Sequence, residues 1–150
     1  MFRGTFEHTI DEKGRVSVPV RYREVLQATN DDRVVITNFL FGSAHCLDVY
    51  PHAVWVEFEE RLRIKPQFDQ RFLRFHSYYV AAAQDCLLDK QGRILLPPSL
   101  REYAALSKDV MFTAALEKFR IWDREQWKQV FQAAEQGIIE RPEDLTDLGI

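Results

Sequence analysis

The stretch Asp11–Glu12–Lys13–Gly14–Arg15 returns almost intact, at an offset of 78, as Asp89–Lys90–Gln91–Gly92–Arg93. No other feature limits the fold as much. Each copy follows an alternating stretch, precedes a short apolar strand and leads through a proline, Pro19 or Pro97, into a helix-like segment. An Asp side chain in this position accepts from the amides that follow it, and the Gly takes the positive φ that such an Asx-type turn needs. The closing arginine then folds back on the Asp and leaves guanidinium donors at the turn's edge. The pattern predicts two compact turns, structured by Asp11 and Gly14 and by Asp89 and Gly92.

The match runs beyond the turns. The offset of 78 also superposes Arg23 on Arg101, and an offset of 72 superposes Val49 on Ile121, Trp55 on Trp127 and Phe58 on Val130. The loop around Phe39–His45 is therefore expected to hold six more residues than its counterpart. Both copies read strand, turn, strand, helix, strand, strand, helix, which is an internal duplication. A unit of roughly 60–70 residues leaves much of its apolar surface uncovered, so the halves should pack together as a pseudo-dimer. The expected boundaries are 1–62 for the first repeat, 63–78 for a basic helical linker, 79–136 for the second repeat and 137–150 for an acidic tail.

Along the chain, Phe2, Phe6 and Ile10 alternate with Arg3, Thr5, Glu7 and Thr9, a half-buried strand. Val16 and Val18 point inward and leave Arg15 and Ser17 on a polar face. Pro19 starts a helix over Val20–Gln27, with Val25 and Leu26 as core contacts. Arg33–Phe41 contains a β-rich run, Val34–Thr37, Gly42–Ser43 reads as the next turn and Cys46–Tyr50 as another strand, followed by a helix from Pro51 to Leu62 and a helical run over Phe68–His76. The second copy predicts strands at Tyr79–Leu88, Ile94–Leu96, Val110–Ala115 and Phe119–Trp122, with a helix from Pro97 to Leu106. Asp123 caps a last helix that Gly137 ends.

Composition narrows the function. Hydrophobic residues make up 46% of the 150 and charged residues 29%, as in ordinary globular proteins. No apolar run approaches a membrane span and the first residues lack a signal peptide's apolar core, so a cytosolic protein is expected. Cys46 and Cys86 read as buried thiols, and His8, His45, His52 and His76 show no ligand spacing. Glu59–Glu60 and Asp85 with Asp89 lie in helical or turn features, without a nucleophile, phosphate loop or metal cluster beside them. The expectation is no enzyme, no metal and no cofactor. The net charge of −3 is mildly adverse for nucleic acid, but the field that matters is local.

Met1–Phe2–Arg3–Gly4, then Asp11 with Lys13–Gly14–Arg15 and Pro19, then Asp89 with Gly92–Arg93 and Pro97, resembles the MraZ family. These are bacterial transcriptional regulators of the SpoVT/AbrB-like superfamily, and the likeness covers nearly everything but the acidic tail. It implies an α+β, mainly β fold: a duplicated swapped-hairpin AbrB-like β-barrel with short flanking helices, its two pseudo-symmetric halves packed as one unit. It also implies a cytoplasmic, nucleoid-associated repressor that binds direct repeats of double-stranded DNA in the promoter of the division and cell-wall gene cluster. Assembly into a ring-like homo-oligomer belongs to the same resemblance.

The residues themselves suggest how DNA would be met. A two-stranded ribbon fits the major groove, where Arg15 offers a fork to guanine or phosphate and Lys13 a phosphate contact. Arg3 extends the basic surface, Arg21 and Arg23 of the first helix contribute to it, and Arg93 assists or holds Asp89. The second copy is less suited, because Lys13 becomes Gln91, Ser17 becomes Leu95 and Arg21 becomes Ser99. An acidic group gains nothing at phosphate, so Asp11 and Asp89 serve the turns. Arg61, Arg63, Lys65, Arg71 and Arg74 form either a solvated helix face or a phosphate-facing rim, while Trp55, Trp127, Phe58, Phe68 and Phe72 read as core or subunit interface. Two other readings stand: an antitoxin-like protein with a protein partner, and an oligomeric scaffold.

Overall fold

The longest β-rich runs form two antiparallel hairpins in the computed structural model, which describes all 150 residues. Strands β3 (Arg33–Phe41) and β4 (Ala44–Pro51) turn at Gly42–Ser43, and β7 (Asp109–Ala115) and β8 (Lys118–Asp123) turn at Leu116–Glu117. β4 pairs with β8, so the hairpins share one sheet. Its flanks come from β1 (Thr5–Thr9) and β5 (Gln84–Leu87), giving the order β1-β7-β8-β4-β3-β5. The opening strand of each half thus pairs with the hairpin of the other: Phe6 faces Phe112, and Cys86 faces Val34. β2 (Arg15–Ser17) and β6 (Arg93–Leu95) form a separate two-stranded ribbon between the halves.

Alternation along these strands builds the core. Val34, Ile36, Leu47, Val49, Phe112 and Ile121 are buried on one face of the sheet. Val16, Val18, Ile94 and Leu96 of the ribbon segments lie over them, with Tyr22 and Leu26 of α1 (Val20–Ala28) and Leu100 of α4 (Pro98–Tyr103). The other face carries α2 (His52–Arg63), α3 (Gln70–Phe75), a π-helical turn at His76–Val80, and α5 (Arg124–Glu140). Trp55 is buried there beside Val35, Tyr50 and Tyr79, and Trp122 lies beneath Trp127. A short α6 (Glu143–Asp147) ends the chain.

Asp48 is the one fully buried carboxylate of that second face. It accepts from Arg120 Nε at 2.8 Å and from the Tyr79 hydroxyl, and Tyr79 meets the Tyr50 hydroxyl at 2.6 Å. The pair joins β4 of the first half to β8 of the second. Burial is met here by charge pairing and hydrogen bonding together.

The structure corrects several expectations. The sheet is open, with β1 and β5 as edges, and is not a closed barrel. Helix at 40% exceeds strand at 31%, so "mainly β" describes the core but not the chain. Tyr79–Ala83 is not strand. Tyr78 and Tyr79 both send their hydroxyls to partners, Tyr103 and Asp48, and neighbours on a strand would face opposite ways. The helix after Pro97 ends at Tyr103. Gly137 does not end α5; the helix runs to Glu140, ahead of Pro142, which disfavours the helical conformation at Arg141. The six extra residues of the first copy are divided. Val34 pairs with Pro51, 17 positions on, but Val110 with Asp123, 13 on, so four lie in the hairpin and two before it. Phe68 is no core residue, being 93% exposed. Cys46 is buried, while Cys86 is only half-buried; burial pushes both thiols up, that of Cys86 to about 11.

Candidate nucleic-acid interface

The two turns have the same hydrogen bonds. Asp11 Oδ1 accepts from the amides of Lys13 and Arg15, both at 2.9 Å, and Asp11 Oδ2 accepts from Arg15 Nε at 2.8 Å. Asp89 does the same with Gln91, Arg93 and Arg93 Nε, at 2.9, 2.9 and 2.8 Å. Gly14 and Gly92 stand at φ +83 and +75, the left-handed region an L side chain resists. These bonds hold both carboxyls below the ordinary carboxylate value, the amides of Arg15 and Arg93 being the largest cause.

The turns are not the tips of free hairpins. β1 and β2 share only the bridge between Ile10 and Val16, and β2 takes β6 as its ladder partner. Leu96 N–H donates to the Gly14 carbonyl and Val18 N–H to the Gly92 carbonyl, so each turn is tied to the far strand of the ribbon. Arg15 faces Leu95 and Ser17 faces Arg93, while Val16 and Ile94 point into the core. Arg15 and Arg93 are thus diagonal neighbours on one outward face, a spacing of roughly 7–8 Å by strand geometry and somewhat less between β-carbons. Each binds its own Asp through Nε, which leaves the outer nitrogens of the fork without an internal acceptor. Leu95, 60% exposed, sits among them.

The surroundings are basic and unequal. Lys13 and Lys90 are exposed at the two turns. Arg101 of α4 covers Gly14, and Arg23 of α1 covers Gly92. A groove of about 710 Å³ beside the first turn, between Lys13, Leu95, Pro98 and Arg101, contrasts with one of about 140 Å³ beside the second, where Arg23 fills the space. The buried Arg23 Nε has no acceptor, and burial, then Arg23, pushes His8 below its ordinary value. Residues 11–24 and 89–102 carry seven cationic and five acidic side chains, against a chain total of −3. Residues 137–150 hold four acids and one arginine, which accounts for the whole of that excess.

Other candidates fall elsewhere. Arg3 is exposed but precedes β1, at the end of that strand away from Asp11; the Phe2 amide beside it donates to the Leu116 carbonyl of the β7–β8 turn. Arg21 is exposed on α1. Arg61, Arg63, Lys65, Arg71 and Arg74 lie on α2, α3 and their connector, on the opposite face of the sheet from the ribbon. The offset of 78 aligns Arg23 with Arg101, but the sequence alone places neither of them at a turn. It could not see that each reaches the other half. No group of three or more His, Cys, Asp or Glu side chains is placed to hold a metal ion, and no helix is long and apolar enough to cross a membrane.

Comparison with known proteins agrees with this duplication. The family model described as "MraZ protein, putative antitoxin-like" matches twice, at residues 1–75 and 79–148. A protein named transcriptional regulator MraZ from Desulfitobacterium hafniense is 41% identical over 150 residues, all of both chains. One of the same name from Desulforamulus reducens is 39% identical over 148 residues, 99% of each chain. A third, from Thioalkalivibrio sulfidiphilus, is 43% identical over 127 residues, 85% of this chain and 83% of its own. With two matched copies of the family's unit and full-length relatives at this identity, the chain belongs to the MraZ family.

Proposed function

We propose that this protein is a sequence-specific, double-stranded-DNA-binding transcriptional regulator whose contact surface is the outward face of the β2–β6 ribbon. The observation that carries the reading is the pair Arg15 and Arg93, held by Asp11 and Asp89 through Nε with their outer nitrogens free of any internal acceptor. Preset forks of this kind suit guanine edges and phosphates without reorganisation. Lys13 adds a phosphate contact at the first turn, and Arg3 at most a peripheral one. The wider groove beside Gly14 favours the first turn as the leading contact. The relatives' names support transcriptional control, and the exchange of β1 and β5 supports a swapped-hairpin ancestry.

One ribbon makes few phosphate contacts, so a single site is weak and loses affinity steeply with salt. Several protomers in a ring would engage direct repeats together, each contact raising the effective concentration for the next. On this reading the protein works in the cytoplasm at the nucleoid and represses the division and cell-wall gene cluster promoter. The test is a mobility shift on a direct-repeat promoter fragment at about 50 and 200 mM salt. Arg15→Ala should keep fold and assembly while losing retention; retention equal to wild type rejects the reading. Exposed Leu95 favours a second one, a protein partner of antitoxin type on the same face, and a small protein that co-purifies and is lost with Leu95→Ser would establish it.

A further inference from the structure

We propose that the distal part of α5 and the segment after it seat on the corner between α2 and α3 of a second copy of this chain. The proposal rests on the multi-protomer reading above and names the surfaces that would join the protomers.

The first support is a helix that outruns its own domain. The stripe of α5 that packs Trp127 against Trp122 continues through Phe131, Ile138 and Ile139 at helical spacing, and these are 54%, 51% and 66% exposed. Every residue from Phe131 to Ile150 is exposed. A few turns of helix without tertiary packing are marginal in water, so this end needs a surface beneath it.

The second support is a complementary surface elsewhere on the chain. At the α2–α3 corner, Ile64 and Phe68 are 83% and 93% exposed. Residues 61–76 carry five Lys or Arg and one acid, and residues 135–150 carry five acids and one Arg. The two segments are equal in length and opposite in charge, +4 against −4. Arg63 and Arg71 are engaged by Glu60 and Asp69, but Lys65 and Arg74 have no acidic partner, and Glu143 and Asp147 no cationic one. Each segment joins a ring of charge to exposed apolar side chains, the composition of an interface with a desolvated centre and a polar rim. Because the surfaces are unlike, the contact is heterologous, and its repetition generates a ring or a chain of protomers.

The experiment uses full-length protein and two charge reversals, Lys65→Glu with Arg74→Glu, and Glu143→Lys with Asp147→Lys. Light-scattering mass is followed against concentration, with circular dichroism as the check on folding. Each variant alone should self-associate about a hundredfold more weakly, the scale on which like charges replace attractive contacts. A 1:1 mixture should recover the wild-type mass, since each variant then supplies the charge the other lacks. Truncation after Gln136 removes only exposed residues and should leave a folded, dissociated protein. Wild-type mass in either reversal, or in the truncated chain, overturns the assignment but leaves multi-protomer binding intact. A wild-type monomer whose Lys65 and Glu143 cross-link within one chain overturns it in favour of the chain's own tail. If the corner reversal keeps its mass and loses DNA, the corner faces phosphate and the proposal fails. A wild-type monomer with full operator affinity defeats the multi-protomer reading itself.

Discussion

Arg23 of α1 lies across Gly92 of the second turn: a β-carbon added to Gly92 would stand 2.3 Å from the arginine Cδ. The relation is reciprocal, since one added to Gly14 would stand 3.1 Å from Nη1 of Arg101. Each half therefore lays a helix arginine over the other half's turn. The two clamps are not equally tight.

Gly14→Ala and Gly92→Ala should separate these effects. Both place a side chain at positive φ, which costs roughly 1–2 kcal/mol. At Gly14 the neighbour is the mobile end of Arg101 and can move aside. At Gly92 the body of Arg23 must be displaced as well, for a total of roughly 2–4 kcal/mol. Urea unfolding of the two variants checks the order, and equal losses would refute the tighter clamp.

Affinity for DNA should fall unevenly around the ribbon. Arg15→Ala should cost about 1–3 kcal/mol and relax specificity at one base position, with a smaller loss for Arg93→Ala. Lys13→Gln should weaken binding evenly across sequences and reduce the salt slope by about 1. Titrations at several salt concentrations measure both. A larger effect from Arg93 than from Arg15 would reverse the assignment of the leading turn.

Acid should act on the turns. The folded pKa of Asp11 and of Asp89 lies below the ordinary 3.8. Each carboxylate thus contributes stability that is complete above that value and lost as pH falls through the folded pKa. Asn can receive one amide but cannot hold the arginine as a charged partner. Asp11→Asn with Asp89→Asn should lower the urea midpoint at neutral pH and flatten its dependence below about pH 4.

Removing Arg120 should unbalance the buried pair. Arg120→Met leaves Asp48, 1% exposed, without its cation, a loss of about 3 kcal/mol. For a chain of this size that lowers Tm by about 2–4 °C per kcal/mol. Replacing both, Asp48→Leu with Arg120→Met, should recover most of the loss, because the penalty lies in the stranded charge. Differential scanning calorimetry measures each value.

Cutting the duplication apart should destroy it. Residues 1–78 carry β1 without β7, and 79–150 carry β5 without β3. Each piece alone should lack a dispersed amide spectrum, and mixing the two should restore it. A folded, monomeric 1–78 would contradict the strand exchange.

What the sequence disclosed was local. The Asp11 and Asp89 turns, the prolines that open α1 and α4, the turn at Gly42–Ser43 and the Asp123 cap all follow from rules that act within a few residues. The open edges of the sheet, where a barrel was expected, were not legible, because which strands leave a ladder open depends on partners far away in the chain. Tyr79 reads as the start of a strand until Asp48 and Thr37 are seen taking its hydroxyl and its carbonyl. Tyr22 is not among the core contacts read from its short helix, yet it is fully buried, its hydroxyl donating to the Gly4 carbonyl. At the site, the sequence could name Arg15 and Arg93 but could not tell that one ribbon sets them side by side.

Joining both copies in one polypeptide loosens a constraint that a true twofold dimer would impose. In such a dimer any substitution at the ribbon would recur at its other end. Here Ser17 and Leu95, or Lys13 and Gln91, coexist around the same pseudo-dyad. The scaffold stays twofold while its outward surface has a front and a back, and if that surface meets DNA as proposed, it can distinguish the two directions along an asymmetric stretch of duplex.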